Sequence, residues 1–176
     1  MGARGRVSRE KEAMMSTITT GRTRTGGVEQ RILREGYGEG AWHGPDLKAA
    51  LAGVTSDAAF RRPAPGRHNI AEIALHHAYC ARGVRARLTG IDAERFVLEG
   101  DDWFALPDPS TLPWSKILDV VDLEQERLAD CVGDINTGRT QSPLSESERF
   151  DLVLGITCHA VYHAGQVQLI KRLAIP

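Results

Sequence analysis

Two histidines stand four residues apart in the run CHAVYHAGQV: His159 and His163. On a helix that spacing puts both imidazoles on one face, with Cβ atoms about 5–6 Å apart. Both rings can then reach one divalent ion about 2.0–2.1 Å from each ring nitrogen. The same face continues through Leu152, Gly155 or Ile156, Gln166 or Val167, and Ile170, a mostly apolar stripe. Imidazoles that interrupt such a stripe look into a core, where an unpartnered polar ring is costly to bury. Position 160 is Ala, so the glutamate of an HExxH protease helix, the built-in base of that chemistry, is missing.

A catalytic metal site takes a further protein ligand from another element. The segment 69–89 offers the adjacent His76 and His77, which point about 100° apart on a helix, so at most one faces the site. His76 shares a face with Glu72, Ile73 and Cys80, and His77 with Ile70, Ile73, Ala81 and Val84. Periodicity does not choose between them.

These side chains need helices to carry them. Val28 to Tyr37 reads as a short helical stretch broken by Gly36, Gly38 and Gly40. Pro45 opens a run from Asp46 to Ala52 that ends at Gly53, and Thr55 or Ser56 caps one more turn. Asn69 caps a long helix to about Thr89, with Gly90 as its stop. Pro113 and Trp114 open another, to about Val132. Ser145 or Ser147 caps the last, from Glu148 to about Ala174, with Ser145 and Glu148 matching a capping box. Residues 91–112 form a connection of a length uncommon unless it has a task. No segment alternates with period two, so strands are not expected. The expectation is an all-α bundle of four main helices, a fold that builds its sites from side chains facing inward.

Composition bounds the rest. The 176 residues, 41% hydrophobic, amount to one domain, read here as 28–176. No apolar run approaches the 18 residues of a membrane span. Three cysteines without a CxxC pair form no disulfide scaffold, so a reduced, cytoplasmic setting is expected. Residues 1–27 hold six of the 22 basic residues and two of the 23 acidic ones, leaving a body of net charge −5. That balance argues against a nucleic-acid partner. The Gly/Thr/Arg-rich stretch 1–27 reads as a flexible, disordered extension, and it lacks the apolar run of a secretory signal.

With these motifs in place, the chain resembles the DinB family, four-helix-bundle metalloproteins also grouped with bacterial thiol-dependent transferases. HNIAEIALHHAY at 68–79 resembles the family's pattern in which an Ile-x-Glu-Ile run leads into a ligand histidine. GITCHAVYHAGQVQLIKR at 155–172 resembles its last-helix pattern H-x-x-x-H-A-G-Q. A looser likeness covers 41–175, including AWHGP at 41–45 and GDDWF at 100–104.

The resemblance implies that His76, His159 and His163 face one divalent ion, zinc or nickel ahead of iron, with positions left open for water or substrate. It further implies a metal-dependent hydrolase or a thiol-dependent S-transferase acting on a small electrophile, the latter using a low-molecular-weight thiol. The alternative is a non-catalytic metal-binding module of a stress response or of an interaction. A homodimer is implied as well.

The candidate pocket lining is Trp42, Asp102, Trp103, Tyr162 and Gln166. His43 is a candidate proton-transfer group or ligand, against a plain surface or capping role. Glu72, four residues before His76, is a candidate acceptor for the other ring N–H of His76. His68 and His77 read as helix-start and packing residues, Asp101 and Asp102 as solvated, and Trp103 and Trp114 as packing for the bundle end. An aromatic residue is more usual in the family where Cys80 stands, so Cys80 is either a further soft ligand or the filling of a small apolar space.

Overall fold

The computed structural model describes residues 27–38 and 41–173. The extension read over 1–27 lies, apart from Gly27, outside the described residues. Six helices and no strand occur among the described residues: α1 (Val28–Gly36), α2 (Leu47–Leu51), α3 (Ser56–Phe60), α4 (Ile70–Thr89), α5 (Trp114–Asn136) and α6 (Glu146–Leu173). The all-α expectation holds, with α1, α4, α5 and α6 as the bundle and the short α2 and α3 packed against α6 and α4. None of the helices is long and apolar enough to cross a membrane.

Local chemistry explains the boundaries. Asn69 accepts from Glu72 N, Glu72 returns the bond to Asn69 N, and Gly90 closes α4 at φ +69, a left-handed cap that glycine takes without strain. Asp46 caps α2 through Ala49 N at 3.0 Å, so this helix starts one residue later than the reading from Pro45. Ser145 and Glu148 make the expected capping box, and α6 starts at Glu146 rather than Glu148. Gly133 does not end α5, which runs on to Asn136. At Gly133 the amide end of the Gln30 side chain of α1 comes close, in the space a Cβ would take.

Two apolar clusters share the interior. One gathers Leu47, Phe60, Ile70, Ile73, Ala74, Ile117, Val121 and Val167; the other gathers Leu33, Leu88, Leu128, Val132, Val153 and Ile156. Helices α4 and α5 both run from the first cluster toward the second, while α6 runs the other way. Two consecutive parallel helices need a connection that travels back along the bundle, about 30 Å for a 20-residue helix. Residues 91–113 are that crossover.

The crossover is fastened along its length. Arg85 Nη2 meets Glu94 Oε2 at 2.6 Å, and Arg82 donates to the Glu94 carbonyl. Phe96 and Phe104 close an aromatic triangle with Tyr79 of α4, with centroids 5.3–5.6 Å apart. At its far end, Leu106 N–H donates to Glu72 Oε1 at 3.0 Å, and the Leu106 carbonyl accepts from Asn69 Nδ2 at 2.7 Å. Between these ties the chain lays Asp102 and Trp103 over α4.

Candidate metal centre

Polar side chains interrupt both clusters at the seam between them. His76 and His163 are 6% and 3% exposed, and His159, between the clusters on α6, is half-buried. His76 Nε2 lies 3.0 Å from His159 Nε2, which lies 3.1 Å from His163 Nε2. One nitrogen from each of the three rings falls within 4.8 Å of the other two. An ion about 2.0–2.1 Å from each nitrogen would separate its ligands by about 2.9 Å at right angles and about 3.4 Å at the tetrahedral angle. The two spacings that involve His159 lie within that window.

The far nitrogens are occupied by hydrogen-bond acceptors. His76 Nδ1–H donates to Asp102, 3.0 Å from its carbonyl oxygen and 2.9 Å from Oδ1. His163 Nδ1–H donates to Gln166 Oε1 at 2.6 Å. A neutral imidazole has one proton, so these bonds leave Nε2 of both rings as bare lone pairs directed at the shared point. Burial, then the neighbouring His163 and His76, pushes His159 down to about 4. Burial lowers His163 too, against the opposing hydrogen bond to Gln166.

Asp102 reaches His76 through an unusual backbone. Its φ of +60 is left-handed, and it is the one non-glycine residue in that region among those described. Such a conformation persists only where the surroundings hold it, and here it lets carbonyl and carboxylate turn together onto one ring nitrogen. Next to it, Trp103 lies flat on the His76 ring, with centroids 3.9 Å apart and planes 7° apart. The indole also stacks on His68, at 3.8 Å and 15°, and meets the His163 ring edge-on at 6.2 Å.

The other expected site residues fall as follows. Glu72 does not meet His76. It is 1% exposed and accepts from Arg62, from His68 Nδ1 at 3.0 Å, from Asn69 N and from Leu106 N. As the third residue of α4 it turns back to the helix start, which is why the acceptor for His76 comes from the crossover instead. Burial pushes its carboxyl up, but the bonds from Leu106, His68 and Arg62 outweigh that and hold it below its ordinary value.

Trp42 is 83% exposed and its N–H donates to Glu35 Oε2; His43 Nε2 meets the Glu35 carbonyl at 2.7 Å. Both are thus bonded to the end of α1 rather than to the histidine cluster. Tyr162 is exposed, its ring 5.3 Å from His163 and its hydroxyl accepting from Gln166 Nε2 at 3.1 Å. Trp114 is buried and donates to the Val54 carbonyl at 2.8 Å, a packing role as expected. Trp103, read both as pocket lining and as packing for the bundle end, covers a site ring.

Cys80 is half-buried beside the site. Its Sγ lies 3.9 Å from both His76 nitrogens and donates to Asp102 Oδ1 at 3.7 Å. His76, Cys80 and Asp102 thus form a second cluster of ligand type. The two clusters compete for His76. Filling the second requires the Nδ1 proton to leave and the Cys80 thiol, which burial and Asp102 push up to about 12, to ionise. The three-histidine cluster needs neither.

A family model described as the DinB superfamily matches residues 39–167, well over half of the chain. The chain belongs to the DinB superfamily. The matched DinB span holds His76, His159 and His163 together with Asp102, Trp103 and Gln166, so the whole cluster lies within it. No curated protein matches the chain, and no solved structure does.

Proposed function

We propose that this DinB-superfamily protein holds one divalent ion on His76, His159 and His163 and uses it as a metal-dependent hydrolase or thiol-dependent S-transferase on a small electrophile. The observation that carries the reading is the convergence of three imidazole nitrogens within 4.8 Å, with His159 Nε2 at 3.0 Å from His76 Nε2 and 3.1 Å from His163 Nε2 and the opposite nitrogens of His76 and His163 engaged as donors. When bound, such an ion supplies Lewis acidity: it lowers the pKa of a water toward about 7, or that of a thiol, so that either attacks near neutrality.

The protein's own residues do the positioning. Asp102 and Gln166 keep the ring protons of His76 and His163 on Nδ1. Trp103 shields one face of His76. Tyr162 accepts from Gln166 and keeps its own O–H to donate to a substrate at the mouth of the site. Three neutral ligands leave the charge of the ion undiminished, with the Asp102 carboxylate as the nearest counter-charge. Imidazole donors suit zinc, nickel and iron alike.

Elemental analysis of the purified protein tests the assignment. One equivalent of divalent metal is expected, lost in His159→Ala and in His163→Ala and retained in His68→Ala, which touches the indole but not the cluster. Equal metal content in all three variants overturns it. A screen of small electrophiles with and without added thiols then separates the two reactions, and no metal-dependent turnover in either arm leaves the non-catalytic module.

A further inference from the structure

His77 has no part in the proposed metal site, yet it is fully buried at 0% exposure in the seam between the two apolar clusters. Its ring lies beside that of Tyr37, with planes 15° apart. On one side its Nε2 lies 3.4 Å from Gln125 Oε1 of α5. On the other its Nδ1 lies 3.3 Å from Nδ1 of His159. The consecutive residues His76 and His77 therefore reach His159 from opposite sides, His76 at Nε2 and His77 at Nδ1.

Proton counting gives this arrangement a direction. The ring lies between an amide oxygen and an imidazole nitrogen, so it can donate on one side and accept on the other as a neutral imidazole does. It then carries one N–H. The carbonyl oxygen of Gln125 is an acceptor only, so the proton of His77 sits on Nε2 and its Nδ1 is a lone pair. The group facing that lone pair is His159 Nδ1, which must be the donor. His159 is thereby left with a bare Nε2.

We infer that His77, held by Gln125, is a positioning residue of the metal centre: it fixes His159 in the tautomer whose Nε2 is free to bind an ion. This deepens the reading of His76, His159 and His163 as ligands and rests on it. Without the acceptor at His77, the proton of His159 moves to Nε2, where His76 Nε2 at 3.0 Å or His163 Nε2 at 3.1 Å accepts it. An incoming ion must then break that internal bond. Losing an orienting partner of this kind costs about 10–100-fold in metal affinity.

The test uses the full chain with zinc as the probe, and two readouts. Long-range nitrogen–proton NMR of the metal-free protein reports which ring nitrogen of His159 carries the proton; competition titration gives the zinc Kd. In the unmodified protein the proton is expected on Nδ1. In His77→Phe, which keeps a ring and removes the acceptor, it should move to Nε2, with zinc affinity down about 10–100-fold. His77→Asn, which returns an oxygen near the position of Nδ1, should restore both readouts. Gln125→Met leaves His77 in place and frees it to protonate at Nδ1, so it should shift the His159 tautomer in the same direction. That variant decides the matter if His77→Phe does not fold.

A proton on Nε2 of His159 in the unmodified protein, or unchanged zinc affinity and tautomer in folded His77→Phe or Gln125→Met, overturns the inference. If the unmodified protein takes up no zinc or other divalent metal, the ligand assignment fails instead, and the NMR readout still decides the role of His77 separately.

Discussion

Replacing Glu72 by Gln preserves the shape of a buried side chain and removes half of its accepting capacity. Oε1 accepts from Leu106 N–H at 3.0 Å and from Arg62; Oε2 accepts from His68 Nδ1 at 3.0 Å and from Asn69 N at 3.3 Å. A glutamine has one oxygen for four donors, and whichever way its amide lies, two of them face an NH2. Arg62 and His68 are partly exposed and can turn to water, so their share of the loss is small. The backbone N–H of Leu106 or Asn69 cannot turn, and leaving it unpaired costs about 1–3 kcal/mol. With the lost charge-assisted bonds, the expected destabilisation is about 2–4 kcal/mol.

Urea unfolding followed by circular dichroism measures this as a lower midpoint at unchanged slope, and the corresponding drop in Tm is about 5–15 °C. The effect has a pH signature. The carboxyl of Glu72 is held below its ordinary 4.5, so its stabilisation is complete above that value and lost as pH falls through the lower, folded one. Glu72→Gln should lack that limb of the stability curve. A loss below about 0.5 kcal/mol at neutral pH, or an acid limb that survives, would refute the clamp.

Burial holds His159 down to about 4 against an ordinary 6.5, so acid competes weakly for the ligand nitrogens, and half of the bound metal should still be present below pH 6. Dialysis across pH 4–8 with metal analysis measures it, and release complete by pH 6.5 would count against a buried site. Asp102→Asn tolerates the left-handed φ of +60 and keeps an acceptor, so zinc affinity should stay within a few-fold; Asp102→Ala loses the side-chain bond, strains the backbone and should cost about 10-fold or more. Calorimetric titration of both variants compares them. A Cβ at Gly36 would lie 3.0 Å from Ala160 Cβ and from the Thr157 carbonyl oxygen, whereas one at Gly155 meets nothing within 4 Å. Gly36→Ala should therefore destabilise by about 1–3 kcal/mol and Gly155→Ala stabilise by about 0.5–1 kcal/mol, both read from urea midpoints.

The legible part of this molecule is what short-range periodicity encodes. The four-residue step from His159 to His163, the Asn69 cap with Gly90 beyond it, and the Ser145 box all depend on neighbours within a turn or two. Each stands in the structure where its spacing puts it. Choosing between His76 and His77 is beyond periodicity, because both lie on apolar faces; the family pattern supplied that choice. The partner of His76 is further out of reach. Glu72 sits at the right helical step, but the capping box claims it, while the acceptor that serves His76 is a loop aspartate 26 residues on, turned by a positive φ that nothing in GDDWF announces. Gln125, a neutral amide buried on α5 between Val121 and Leu128 and next to the buried Glu124, is a signal that sequence alone offers for the partner of His77.

The indole of Trp103, held between two imidazoles, has an optical consequence. Of the three tryptophans, Trp42 is in water and Trp114 is tied to a carbonyl elsewhere, so their emission is indifferent to the cleft. An ion drawing electron density from the ring beneath Trp103 alters the quenching of that one fluorophore. The chain thus carries a native, label-free gauge of its own occupancy, and a Trp42→Phe background would leave only the constant emission of Trp114 beside it in the spectrum.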